Sequence, residues 1–127
     1  MLIRVKTPLL IVVIPNVQLQ WFGRTGPNGT VFTRLRLASV PTGSTVRVRC
    51  SGSSCPVRRQ TFRDTGRRVA LPKFVGRRLR PGTRITTTIT HDARVGVVKT
   101  MRIRRSRVPV IRTLCLPPGS NDPVPCP

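Results

Sequence analysis

Val46-Arg47-Val48-Arg49-Cys50 alternates an apolar or sulfur-bearing side chain with an arginine at every step. Successive side chains of a strand point to opposite faces, so Val46, Val48 and Cys50 belong to a core and Arg47 and Arg49 to a solvated face. The turn residues Pro41-Thr42-Gly43-Ser44 precede this strand. Directly after it, Cys50-Ser-Gly-Ser-Ser-Cys55-Pro56 reads as a tight loop in which Gly52 permits the bend and a disulfide closes the end.

The same period of two extends in both directions. Upstream, Val17, Leu19 and Trp21 alternate with Gln18 and Gln20, and the Gly and Asn cluster from Gly23 to Gly29 is expected to turn the chain. Val31, Thr33, Leu35 and Leu37 then share one face, opposite Phe32, Arg34 and Arg36. Downstream, shorter strands are expected at 57–63 and 67–71, followed by an irregular or short helical stretch from Pro72 to Arg80. Pro81-Gly82 turns the chain into a strand over 85–90. His91-Asp92-Ala93-Arg94 forms a hairpin connection into 95–104, where Val97, Met101 and Ile103 oppose Arg102 and Arg104. A last strand covers 108–114.

Short strands at regular spacing with turn chemistry between them predict an all-β antiparallel sandwich or barrel. Composition agrees: 17 Val, 7 Ile and 15 Thr suit a pleated surface, whereas three Ala, no Glu, 13 Pro and 10 Gly disfavour long helices. A length of 127 residues corresponds to one domain. Its expected extent is 17–116. Residues 1–16 form an N-terminal linker or truncated export region, and 117–127 a proline-rich tail tied down by Cys115 and Cys126. Arg4 and Lys6 before the apolar run 9–14 superficially resemble a secretory signal, but the run lies between Pro8 and Pro15, no small-residue cleavage site follows, and a span needs about 20 apolar residues.

The four cysteines fall into two local pairs, Cys50 with Cys55 and Cys115 with Cys126. Even-numbered, pairwise cysteines in a short chain indicate a disulfide framework from an oxidising compartment. Four cysteines allow three pairings. The rival reading, a four-cysteine zinc site, prefers spacings such as C-x2-C rather than four and ten intervening residues.

Twenty-four Lys and Arg stand against three acids, Asp64, Asp92 and Asp122, for a net charge of +21. Because 21 of the cations are Arg, that charge persists at any physiological pH and attracts polyanions. The candidate polyanion-binding residues are Arg34, Arg36, Arg47, Arg49, Arg102 and Arg104, expected to form one or two outward stripes; the plain alternative is a set of solvated strand faces. Binding through such stripes is salt-dependent and barely sequence-selective. The scarcity of aromatics argues against single-stranded nucleic acid, whose bases stack on aromatic platforms.

Acid–base catalysis needs titratable groups brought together. This chain offers one His, three Asp, no Glu and no Tyr, and His91 beside Asp92, in a turn context, is the one adjacent pair. No Gly-rich phosphate loop and no metal triad of His and carboxylates is present, and no cofactor or metal is expected.

Several pieces together resemble a family of arginine-rich, disulfide-bearing β domains found, often in tandem, in exported proteins of actinobacteria. The matching stretches are Val46-Arg-Val-Arg-Cys50 with Cys55-Pro56, Arg77-Arg-Leu-Arg-Pro-Gly-Thr-Arg-Ile85, Val95-Gly96 leading into Met101-Arg-Ile-Arg-Arg105, and Leu114-Cys-Leu-Pro-Pro-Gly119. They cover most of residues 31–119, and the chain departs from the pattern at Ser54, where the family tends to have Gly. The resemblance implies export and an immunoglobulin- or fibronectin-like sandwich with short disulfide loops, and no activity. The resulting expectation is a non-catalytic module of the cell envelope or a secreted protein, structural or adhesive, with an anionic wall polymer or lipid surface as partner and further domains or tandem copies beside it. A basic nucleic-acid-binding protein is the alternative, and an enzyme's accessory domain a weaker third.

Overall fold

A computed structural model describes residues 16–92 and 94–126; the expectation for residues 1–15 lies outside them. Nine strands form in chain order: β1 (Gln18–Gly26), β2 (Gly29–Ala38), β3 (Thr45–Ser51), β4 (Arg59–Phe62), β5 (Val69–Ala70), β6 (Arg78–Leu79), β7 (Arg84–Thr90), β8 (Gly96–Arg104) and β9 (Arg107–Leu116). The irregular stretch after β5 contains a single 3-10 turn, Pro72–Phe74, with proline where its missing N–H costs nothing.

The strands assemble into two antiparallel sheets. One has the order β1-β2-β5, with β6 also pairing β2, and the other the order β4-β3-β7-β8-β9. Both bury one face against a shared core. Leu19, Phe32, Leu35 and Leu37 enter it from the first sheet, and Val46, Val48, Ile85, Ile89, Met101 and Ile103 from the second. Leu71 and Phe74, the latter delivered by the 3-10 turn, are fully buried in the segment that runs beside β2 between β5 and β6. The all-β sandwich follows. Two features differ from the immunoglobulin-type pattern: the second sheet has five strands, and both disulfides are local instead of joining the two sheets.

The strand β3 matches its sequence reading residue for residue, Val46, Val48 and Cys50 buried and Arg47 and Arg49 exposed. The strand β2 does not. Its register against β1 shifts between Phe22 and Gly23, so that Phe22 pairs with Arg34 but Gly23 with Phe32, leaving Thr33 without a partner. One extra residue in a strand reverses the facing of everything on one side of it. Phe32, expected on the arginine face, therefore points inward and is fully buried, with its ring edge-on to Trp21 at 5.6 Å, while Thr33 is exposed. Glycine is required at the shift, because a Cβ on Gly23 would run into the Val31 carbonyl oxygen. The expected turn over Gly23–Gly29 is correspondingly too wide: β1 continues to Gly26 and only Pro27 and Asn28 turn the chain.

Cys50 is bonded to Cys55 and Cys115 to Cys126. Gly52 adopts φ +121 in the first loop, as the tight bend demands. Ser54 ties that loop down through its side chain. Its hydroxyl lies 2.8 Å from that of Thr83 and accepts a hydrogen bond from the Arg80 amide at 3.0 Å, fastening the loop to the turn before β7. In the tail, Val124 and Cys115 exchange both backbone hydrogen bonds, each 2.7 Å, along the free edge of β9. The tail thus covers part of an edge that would otherwise present unpaired backbone.

Candidate polyanion-binding face

The outer face of the five-stranded sheet is built from the residues that alternate with the core set. Register places Arg59, Arg49, Thr86, Thr100 and Arg112 in one row across the strands. A second row runs Thr61, Arg47, Thr88, Val98 and Leu114, and a third Ser51, Arg84, Arg102 and Val110. Neighbouring strands lie about 4.8 Å apart, so the rows span roughly 19 Å from β4 to β9. Six exposed arginines and four threonines occupy these rows, which carry neither a carboxylate nor an aromatic ring.

Two of these arginine pairs are directly opposed across a ladder, Arg49 with Arg59 and Arg84 with Arg102. A third opposition, Arg104 with Arg107, lies at the β8–β9 hairpin end. Like charges in that position are destabilising, and a sheet shaped by stability alone avoids them. The acids do not relieve them. The one approach of a carboxylate to a basic side chain among the described residues is Asp92 to His91 Nδ1 at 3.5 Å, in the turn between β7 and β8.

Three shallow depressions are contiguous on the face. A cleft of about 470 Å³ lies between the tail and β3, β4 and β8, with Arg47, Arg49 and Arg59 on one side and Val98, Leu116 and Pro123 on the other. A second depression of about 310 Å³ gathers Arg49, Arg58, Arg59 and Arg84 beside the Cys50–Cys55 loop. A third of about 320 Å³ holds Arg84, Arg102 and Arg112 with Thr100, Val110 and Leu114. Arg49 and Arg59 are shared by the first two, and Arg84 by the second and third, so the three form one track.

Of the six arginines singled out in the sequence, Arg47, Arg49 and Arg102 come together here. Arg34 and Arg36 lie on the outer face of the other sheet, on the opposite side of the molecule. There Arg34 sits over the Phe22 ring at 5.7 Å and Arg36 Nε donates to Gln20 Oε1 at 2.9 Å. Arg104 is half-buried, and its Nε donates to the Val108 carbonyl at 2.9 Å, closing the hairpin. Arg59, Arg84 and Arg112 complete the face and escape sequence reasoning. Arg84 and Arg112 each adjoin an isoleucine, a usable local signal, but Arg59 lies between Arg58 and Gln60, and only strand order puts all three beside Arg47 and Arg49.

His91 Nε2 donates to the Thr42 carbonyl at 3.0 Å, which fixes its proton on that nitrogen and ties the β7–β8 turn to the β2–β3 turn. Asp92 is almost fully exposed. All four cysteine sulfurs are committed to disulfides, which leaves no thiolate for the zinc alternative. Lys99, on the core-facing side of β8, donates to Thr113 Oγ1 at 2.8 Å, and desolvation holds its ammonium below the usual lysine range. No protein-family model, curated protein or solved structure matches the chain.

Proposed function

We propose that this protein is a non-catalytic, exported β-sandwich module that holds an anionic polymer of the cell envelope on the outer face of its five-stranded sheet. The observation that carries the reading is the pair of directly opposed arginine couples, Arg49–Arg59 and Arg84–Arg102, on a face with no carboxylate. Unrelieved like charge at ladder positions is a local rule broken, and such breaks concentrate where a partner supplies the missing term. Two disulfides mark an oxidising compartment, which argues for the envelope or the medium over the cytosol.

Charge alone is the competing explanation, because +21 attracts any polyanion. Two triple variants separate the readings. Arg49→Gln/Arg84→Gln/Arg102→Gln strips the proposed face, and Arg34→Gln/Arg36→Gln/Arg67→Gln strips the same number of charges from residues off it. Retention on an immobilised acidic polysaccharide at about 100 mM salt, within reach of Debye screening, is expected to fall at least tenfold for the first variant and less than threefold for the second. Equal losses would mean that net charge, not this face, does the binding.

Nucleic acid is the second reading, favoured by the same arginines. The face offers no ring on which a base could stack, so single strands gain only phosphate contacts there.

A further inference from the structure

We infer that the cleft under the tail is a subsite for one acidic sugar ring, so that the polymer held by this face is a carboxylated polysaccharide. The inference rests on the proposed polyanion reading and adds the chemistry of the repeating unit.

The cleft has two unlike walls. Arg47, Arg49 and Arg59, with the hydroxyls of Thr61 and Thr88, form one. The other is apolar: Val98 on the outer side of β8, Leu116 at the end of β9, and Pro123 of the tail. Val98 points away from the core and, only 5 % exposed, lies at the floor of the cleft. Asn121 adds an amide at the rim, while Asp122, between Asn121 and Pro123, does not line the cleft. Its volume of about 470 Å³ falls in the range of roughly 300–1,000 Å³ of small-ligand sites, whose apolar walls carry a few placed polar groups.

A uronate ring matches both walls at once. Its C–H face can lie on Val98, Leu116 and Pro123, its hydroxyls can reach Thr61, Thr88 and Asn121, and its carboxylate can be gripped by the guanidinium forks of Arg49 and Arg59. A phosphate chain fills only the arginine side and leaves the apolar wall wet. Further carboxylates of the same chain then follow the shared arginines toward Arg84 and Arg102. The wall exists because the Cys115–Cys126 bond and the paired Val124 hold residues 117–123 against the sheet.

The test titrates the folded protein with tetragalacturonate, with linear polyphosphate of equal charge and with a DNA duplex, at 20 and 150 mM salt. Tetragalacturonate is expected to bind at least tenfold more tightly than polyphosphate at 150 mM salt, because the two lose their charge contacts alike and only the ring keeps contacts that salt does not screen. Leu116→Ala and, as a milder variant on the exposed tail, Asn121→Ala should weaken tetragalacturonate at least fivefold and leave polyphosphate within twofold. Nuclear Overhauser contacts from sugar ring protons to the Val98 and Leu116 methyls should appear. Equal affinities at 150 mM salt, with both variants indifferent and no such contacts, would overturn the ring subsite while leaving polyanion binding standing. Tighter binding of the duplex at 150 mM would overturn it in favour of nucleic acid, and failure of every ligand at 20 mM would remove the polyanion reading itself.

Discussion

The two outer faces of the sandwich carry arginine in different company. On the four-stranded sheet, Arg34 is stacked over Phe22 and Arg36 is hydrogen-bonded to Gln20. On the five-stranded sheet, Arg49 faces Arg59 and Arg84 faces Arg102, and none of the four makes a side-chain hydrogen bond among the described residues. Both faces are basic, so charge density does not distinguish them. Satisfaction does: one set of guanidinium groups finds partners within the chain, and the other is left for a partner outside it. Both covalent ties also belong to the second sheet, Cys50 on β3 and Cys115 on β9, as though the sheet with the unrelieved charge is the one that needs fastening.

The contrast depends first on the shift at Thr33, since without it Phe32 would stand among the arginines of β2. Phe32→Ala is expected to destabilise the protein by about 3–5 kcal/mol, the range for emptying a buried phenylalanine, whereas Thr33→Ala should be nearly neutral. Denaturant titration of both decides it, and equal small effects would put Phe32 at the surface and dissolve the distinction between the faces.

Next in size are the ties. On the chain-entropy model, replacing Cys115 and Cys126 by Ser costs about 3 kcal/mol and replacing Cys50 and Cys55 about 2 kcal/mol. Thermal unfolding of the two double variants should rank them in that order. The Cys50 pair should additionally weaken polyanion retention, because its loop borders the depression that Arg49, Arg58, Arg59 and Arg84 share.

A third environment calibrates what partial burial costs a cation that has no counter-ion. Lys99 is on the core-facing side of β8, and burial lowers its pKa. The folded state therefore binds its proton less readily than the unfolded state does, so stability rises with pH through the window below the ordinary lysine value of about 10.4 and the penalty is full at neutral pH. Lys99→Met should stabilise the protein at pH 7, with the gain shrinking as pH approaches 10. Unfolding midpoints of the two proteins from pH 7 to 10 supply the check; a gain independent of pH would assign the effect to packing.

The smallest effects carry opposite signs. Arg59→Thr relieves the opposition to Arg49 and should raise stability at low salt by a few tenths of a kcal/mol to about 1, vanishing near 0.5 M salt as screening takes over. Arg34→Thr removes a guanidinium from an aromatic face and should lower stability by about 0.5–1 kcal/mol. Two losses, or two gains, would erase the difference between the faces.

How much of this is written locally in the chain depends on the strand. In β3 the alternation is unbroken, and Val46 to Cys50 could be assigned to their faces by counting. The disulfide pairs and the tail closure were equally legible, because the spacing within each pair is short. In β2 counting failed at Thr33, since the extra residue is tolerated only through Gly23 on the neighbouring strand, a relation that no window of β2 contains. The same holds for the site. Arg47 and Arg49 could be put on an outer face, but Arg59, Arg84 and Arg112 join them only because β4, β7, β8 and β9 line up in that order beside β3. Strand order is a property of the whole chain's packing, so the face as a unit, and the separation of Arg34 and Arg36 from it, emerges only in three dimensions.

Every cation on the five-stranded face is an arginine, while the lysines among the described residues, Lys73 and Lys99, sit in the 3-10 turn and on the inner side of β8. Reagents and enzymes that acylate amines find nothing to modify on that surface, and a lysine-built surface of equal charge would be erased by the same treatment. The charge of the face is therefore chemically constitutive: it cannot be switched off by acetyl transfer.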